Sequence, residues 1–255
     1  MDQTINKVRK KTPLIHHLTN QVVMNFTANG LLSFGAAPVM AKATEEAQEM
    51  ASLANGVLIN IGTLTAPDLN AMIVAGKTAN ERGIPVVLDP VGVAATPFRT
   101  KAVKQILDKV KPAAIKGNAG ELAHLVEIPW ETKGVESIGD GDTEEIARKV
   151  RDVYGTTAVI TGKTDIICTE NDLIRNDTGH PILTKVTGAG CLLGSILTAC
   201  LTTDDKVEEQ ALAAVKFYGL AAEYAASSKE VTGPGTFIPR FIDALSLNID
   251  QLERR

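Results

Sequence analysis

The sequence predicts an α/β fold: a mainly parallel central β-sheet with helices on both faces. Short apolar runs alternate with longer helical patterns through most of the chain, the βαβα rhythm of a parallel sheet. The composition agrees, with 21 glycines and only 4% aromatics among 255 residues, a poor fit to an all-β sandwich. Most of the apolar runs also end in polar or glycine-rich residues, and in open α/β sheets ligands bind beyond the carboxyl ends of the strands.

The elements follow in order. PLIHHLT (13–19) reads as a strand, and NFTANGLLSFG (25–35) as a helix closed by Gly35. APVM (37–40) is a short strand, after which Thr44 is placed as a helix N-cap with Glu45 and Glu46 in the first turn. GVLINIG (56–62) is a buried strand, and APDLNAMIVAGKTANERG (66–83) is a helix with a glycine stop. IPVVLDPVG (84–92) is the clearest buried strand; Thr96-Pro97 then opens a helix as cap and first-turn proline. KPAAIKGN (111–118) is strand-like, SIGDGD (137–142) is a loop, and a helix runs from Thr143 to Tyr154. TTAVITG (156–162) and TDIICTE (164–170) form a hairpin around Gly162-Lys163 at a sheet edge. Helices follow from Gly188 and over Val207 to Ser228, and the tail from Phe237 reads as helical. No linker or repeat divides the chain, so residues 1–255 are read as one domain.

Several function classes drop out. The formal net charge is −4 with no basic stripe, which argues against nucleic acid. No apolar run of the length a membrane span needs occurs, and MDQTINKVRKKTPL lacks the apolar region of a signal peptide. Three cysteines (Cys168, Cys191 and Cys200) show no pairing pattern, as expected of reduced thiols in the cytoplasm. Cys168, Cys200, Met24 and Trp130 read as packing residues. The four histidines lack zinc-ligand spacing, and His16 and His17, on alternate faces of a strand, receive no role.

The residues after the strands carry the chemistry: Thr19-Asn20, Met40, Asn60-Ile61-Gly62-Thr63, Asp89-Pro90-Val91-Gly92, Lys116-Gly117-Asn118 and Thr161-Gly162. In KVTGAGCLLG (185–194), Gly188, Ala189, Gly190 and Cys191 lie at a probable helix start, where free N–H groups and the helix dipole form an anion site. The same residues also suit a tight connection packed with small side chains. There is no Walker lysine, and G-x-G-x-x-x-G is one residue too long for a dinucleotide fingerprint. Asp89 can serve a metal or a phosphate-bound water, or be a turn-forming Asp-Pro. In KGNAGE (116–121), Asn118 and Glu121 share a helix face. There Glu121 can hold Mg²⁺ through water and Lys116 can meet phosphate, or the group can be a plain cap beside an exposed lysine.

Together the three motifs resemble the ribokinase-like superfamily of small-molecule kinases, whose N-x-x-E and GAGD motifs match NAGE and, with one change, GAGC. Within it, the sequence resembles the hydroxyethylthiazole kinases over nearly its whole length. The matching stretches are PLIHHLTNQVVMNFTANGLLSFGAAPVMA, NIGTL, VVLDPVG, PFRT, IKGNAGE, AVITG, LTKVTGAGCLLGS and GPGTF. The resemblance implies a ribokinase-like fold and phosphorylation of 4-methyl-5-(2-hydroxyethyl)thiazole with ATP and Mg²⁺, a salvage step toward thiamine. It implies a homotrimer with active sites at subunit interfaces.

Residue by residue, the resemblance puts Met40 and Gly188 against the thiazole with Asn20 close by. It puts Lys116, Thr161 and Asn118 with the nucleotide, and Asp89 and Glu121 with Mg²⁺ and phosphate. Cys191 takes the catalytic-base position, beside an anion hole of Gly188 to Cys191. Lys116 departs from a common arginine and brings a point charge instead of a planar fork.

A thiol at a helix N-terminus is expected to be partly thiolate, able to take the alcohol's proton or to orient the hydroxyl. Two rival readings remain: a related kinase of another small alcohol (a hydroxymethylpyrimidine or a sugar), and a binding protein without turnover. TNQVVMNF and APVM offer an apolar wall suited to an aromatic ring and not to a sugar. Asp89, Glu121 and the glycine turn are more than a binder needs.

Overall fold

A computed structural model describes residues 1–130, 132–133, 136–137 and 142–253. The chain opens with α1 (Asp2–Lys11), β1 (Leu14–Leu18), α2 (Met24–Phe34), β2 (Ala37–Val39), α3 (Thr44–Leu53) and β3 (Gly56–Asn60). It continues through α4 (Ala66–Glu81), β4 (Val86–Asp89), α5 (Pro97–Leu107), β5 (Ala114–Asn118) and α6 (Ala119–Leu125). A small hairpin, β6 (Thr132–Lys133) and β7 (Glu136–Ser137), precedes α7 (Thr143–Tyr154), β8 (Thr157–Thr161), β9 (Asp165–Cys168) and β10 (Leu173–Asn176). A 3₁₀ turn (Pro181–Lys185) leads to α8 (Ala189–Cys200), α9 (Val207–Ser227), α10 (Pro234–Ala244) and α11 (Ile249–Glu253).

Eight strands form one sheet in the order β10-β9-β8-β5-β4-β3-β1-β2. From β8 to β2 all pairings are parallel; β9 and β10 pair antiparallel. Strand residues alternate between two apolar layers, because successive side chains leave a strand on opposite faces. Ile15, Leu58, Val87, Ala114 and Val159 pack with α1, α2 and α8–α11. Val57, Ile59, Val86, Leu88, Ile115, Ala158 and Ile160 pack with α3–α7. Helix α8 is buried along almost its whole length and touches β1, β3, β4, α2 and α9. Its N-terminus is thereby fixed over the carboxyl ends of the central strands.

The predicted elements appear with small shifts, one element is added and three readings are corrected. Helix α1 was not anticipated: its ten residues are strongly charged, yet Ile5 and Val8 form a buried stripe at helical spacing. Thr44 is the first helical residue and not the cap; Ala43 stands at the N-cap without a side-chain hydrogen bond. The β8–β9 hairpin is not the sheet edge, because β10 pairs outside it. The tail is two helices, α10 and α11, separated by Leu245 to Asn248. Asp142 caps α7 by accepting from the Glu144 and Glu145 N–H groups, while most of the SIGDGD loop lies outside the described residues.

Candidate active site

Four adjacent parallel strands end in polar residues that form one buried chain of hydrogen bonds. Asn20, just beyond β1, donates from Nδ2 to Asn60 Oδ1 at the end of β3, 3.0 Å away. Asn60 donates from Nδ2 to Asp89 Oδ2 at the end of β4, at 2.8 Å. Lys116, on β5, donates from Nζ to the same Asp89 oxygen at 3.3 Å and to the Gly190 carbonyl at 2.9 Å. Asn20 Nδ2 also lies 3.4 Å from Cys191 Sγ, so the chain closes on the start of α8 from both sides. Asn60 cannot be turned over in this network. Its oxygen accepts from the Gly62 N–H at 3.0 Å and its nitrogen faces a carboxylate.

The turn into α8 depends on glycine. Gly188 is the N-cap at φ 90°, in the left-handed region. A β-carbon there would lie 2.4 Å from Val23 Cγ1, which lets the chain at 23–26 close over the turn. No side chain caps α8, and although the Ala189 N–H donates to the Val186 carbonyl at 3.2 Å, the next N–H groups and the positive end of the dipole are open to an anion.

Electrostatics refine the expected roles. Burial, with help from Glu121, pushes the Asp89 carboxyl up to about 6, against Lys116 and Asn60, so it is ionised at neutral pH. Burial works against the Lys116 ammonium, but the Asp89 carboxylate, with Glu121, outweighs it and holds its pKa above the usual lysine value. The alternative of an exposed lysine is removed: Lys116 is buried, paired with Asp89. The partly ionised thiol is corrected too. Burial first and the Asp89 charge second push Cys191 above the ordinary thiol range, overriding the helix dipole. Cys191 rests as a neutral thiol.

Glu121 and Asn118 form the capping box that sequence left as one alternative. Asn118 Oδ1 accepts from the Glu121 N–H at 2.8 Å, and Glu121 Oε2 from the Asn118 N–H at 2.9 Å. The other Glu121 oxygen accepts from the Gly92 N–H at 2.8 Å, tying α6 to the loop after β4. Thr161 donates to the Gly117 carbonyl at 3.3 Å. Met40 is half-buried beyond β2, with β1 and β3 between it and Asp89 in the sheet.

The acidic groups suit a magnesium ion. Asp89 Oδ1 is buried without a hydrogen-bond partner. Among the described residues no cluster of three His, Cys, Asp or Glu could hold a metal alone. Mg²⁺ does not need one, because it keeps waters and takes one or two carboxylates plus substrate phosphates.

The start of α8 thus offers an anion open backbone N–H groups, with a buried carboxylate, an amide and a thiol beside it. The family model described as the hydroxyethylthiazole kinase family matches residues 5–251. The chain belongs to the hydroxyethylthiazole kinase family. Among its members, hydroxyethylthiazole kinase 1 of Oceanobacillus iheyensis is 60% identical over 242 residues, 95% of this chain and 94% of the relative. The structure of a hydroxyethylthiazole kinase protein from Pyrococcus horikoshii superposes with a TM-score of 0.88 at 36% identity, covering 100% of this chain and 96% of that one. A ribokinase-like superfamily protein from Enterococcus faecalis shares the fold at a TM-score of 0.70 and 13% identity, covering 96% of this chain and 94% of that one. The ribokinase-like fold class is therefore observed.

Sequence reasoning noted Asn60 only as a polar strand end and gave it no role; its place after the buried run GVLI was the available signal. It also gave no role to His17 and Ser195. His17 Nε2 lies 2.9 Å from Ser195 Oγ, a buried link between β1 and α8. Tyr218 on α9 donates to the Ala189 carbonyl at 2.6 Å and braces the turn from behind.

Proposed function

We propose that the chain transfers the γ-phosphoryl group of ATP to the hydroxyl of 4-methyl-5-(2-hydroxyethyl)thiazole, supplying thiazole phosphate for thiamine salvage. The observation that carries this reading is the buried chain Asn20–Asn60–Asp89–Lys116 closing on both sides of the Gly188–Cys191 turn. The transition state of phosphoryl transfer is loose and spreads negative charge over the moving group, so catalysis is mainly positioning and charge stabilisation.

The N–H groups at Gly188, Gly190 and Cys191 face that charge, while that of Ala189, held by the Val186 carbonyl, shapes the turn. Lys116 balances Asp89 and holds the Gly190 carbonyl, fixing the turn before substrate arrives. Asp89 and Glu121 would hold Mg²⁺, which supplies neutralisation of the β- and γ-phosphate oxygens. Asn118 and Thr161 line the nucleotide side, and Asn20 and Cys191 meet the hydroxyl. The neutral thiol accepts a hydrogen bond from that hydroxyl and orients it, and the alcohol's proton leaves late to an oxygen of the transferred phosphoryl group. Val23 and Phe26, packed at Gly188, begin the apolar wall for the ring.

Met40 belongs to that wall in a homotrimer, where a neighbouring subunit would complete the site. Support comes from its place beyond the outermost parallel strand and from Val22 and Leu32, both more than half exposed on an apolar segment. Sedimentation at micromolar concentration tests this, and a monomer would refute the shared site. Three unpaired cysteines suit a reducing compartment such as the cytoplasm. Among the described residues, no helix is long and apolar enough to cross a membrane.

The deciding experiment is ADP release with ATP and Mg²⁺, comparing hydroxyethylthiazole with hydroxymethylpyrimidine and ribose. ADP with the thiazole alone is expected. Turnover only with another alcohol would overturn the substrate, and silence with all three would favour a binding protein.

A further inference from the structure

The PFRT stretch has no part in the chemistry described so far, yet its arginine reaches two loops of the site. Helix α5 starts abruptly at Thr96-Pro97, with the Thr96 hydroxyl accepting from the Arg99 N–H. From that first turn the half-buried Arg99 turns its guanidinium toward the sheet. Nη1 donates to the Ile61 carbonyl at 2.8 Å and to the Val91 carbonyl at 2.8 Å, and Nη2 donates to the Gly62 carbonyl. All three acceptors are main-chain oxygens, two after β3 and one after β4. The next residue adds a further tie, since Thr100 Oγ1 donates to the Val93 carbonyl at 2.9 Å.

Each clamped peptide adjoins a group of the site. Gly62 gives its N–H to Asn60 Oδ1, and a β-carbon on it would stand 2.9 Å from the Asn20 side chain. A shift of Gly62 therefore moves both asparagines. Val91 precedes Gly92, whose N–H holds Glu121. One planar cation thus spans the alcohol side of the site, through Gly62, and the magnesium and phosphate side, through Gly92. A lysine could not reproduce this, because three carbonyls spread over two strand ends need the fork of a guanidinium.

We propose that Arg99 is a positioning residue of the kinase site: it clamps the loop after β3 to the loop after β4 and holds Asn20 and Asn60 in register with Glu121. The proposal rests on the kinase reading above, and its test has an arm that does not. Amide hydrogen exchange is compared among the wild-type chain, Arg99→Ala and Arg99→Lys. In Arg99→Ala, segments 60–64 and 90–93 are expected to exchange about tenfold faster together while β4 and β5 keep their protection. In turnover, kcat/KM for the thiazole should fall about 10- to 100-fold, since small misplacements at a site cost that much. The Mg²⁺ concentration for half-activity should rise, and millimolar ethylguanidinium should restore part of the loss.

Arg99→Lys is expected to lie between the two, and it carries the same readouts if the alanine variant does not fold. Unchanged exchange in either segment would overturn the clamp. Loosened loops with unchanged kcat/KM, or a loss that ethylguanidinium leaves untouched, would overturn its role in the site. A wild-type chain silent toward the thiazole would refute the kinase reading, and the exchange arm would still decide the clamp.

Discussion

Replacing Asn60 by alanine should damage stability and activity together, because three groups, two buried and one partly buried, depend on its amide. Asp89 Oδ2 would lose a donor at 2.8 Å, Asn20 Nδ2 an acceptor at 3.0 Å, and the Gly62 N–H its acceptor at 3.0 Å. Asp89 keeps Lys116, and Asn20 keeps its contact with Cys191, so these two are only partly orphaned. The Gly62 N–H loses the acceptor that fixes it. A buried donor left unsatisfied costs about 1–3 kcal/mol, and a lost bond to a carboxylate is of similar size. A water entering the polar gap recovers part of this, leaving about 3 kcal/mol. For a chain of this length that is about 6–12 °C in Tm.

Urea unfolding and a thermal scan measure the loss directly. The more telling variant is Asn60→Asp, which keeps the oxygen that Asn20 and Gly62 use and puts a second carboxyl against Asp89. Two carboxyls at that distance share one proton, so the pair's folded pKa is raised above the unfolded value. A raised carboxyl pKa means that the folded state holds the proton more tightly. Asn60→Asp should therefore be most stable in acid and lose stability as pH rises through 5 to 7, more steeply than the wild type. A loss below about 1 kcal/mol for Asn60→Ala, together with parallel pH profiles for Asn60→Asp and wild type, would show that the buried chain is not a connected network.

Other substitutions test the remaining steps. Gly188→Ala combines left-handed backbone strain with a β-carbon 2.4 Å from Val23 Cγ1; it should cost about 2–4 kcal/mol and lower kcat, read from urea unfolding and initial rates. Because burial holds Cys191 above the ordinary thiol range, iodoacetamide should label it slowly at pH 7 and faster as pH rises; fast labelling at pH 6–7 would restore the thiolate. Cys191→Asp should retain or raise turnover and Cys191→Ala should lower it, whereas equal rates would remove any role in the proton's path. Burial lowers His17 to about 4, below its unfolded value near 6.5. The stability this supplies is complete above pH 6.5 and is lost as pH falls toward 4, about 3 kcal/mol in all. His17→Gln should flatten that acid limb in urea titrations at pH 4 to 7.

The parallel strands were legible because a strand buried on both faces is a short apolar run with punctuation at each end. Their order was not, since nothing in GVLIN or VVLD states which neighbour it takes. Helix α1 hid behind its charge density, and β10 behind a four-residue LIRN with two polar members. In the site, Asp89, Lys116 and Glu121 could be named from their places at strand ends and helix starts. Their partners could not. Glu121 reads as a ligand or as a cap, and the structure shows the capping bonds without removing the other use. Cys191 was misjudged because sequence shows a helix end, which lowers a thiol pKa, but not the burial and nearby carboxylate that raise it. Arg99 was invisible in its role because its acceptors are carbonyls, which every residue carries.

A thiol can stand at 191, where the GAGD motif that the sequence resembles would put aspartate, because the charges around it are already apportioned. Lys116 balances Asp89, and two backbone N–H groups hold the carboxylate of Glu121. A neutral side chain at 191 leaves the start of α8 net attractive to the phosphoryl group, the property a loose transition state uses most. A carboxylate there would sit beside Asp89 with its own pKa pushed up, a better proton acceptor at neutral pH than a buried thiol but one that weakens the anion hole. The two effects oppose each other, so Cys191→Asp is expected to keep turnover. Gly188 and Asn60 have no such slack: one holds a left-handed backbone against Val23, and the other needs both an acceptor and a donor on a single amide.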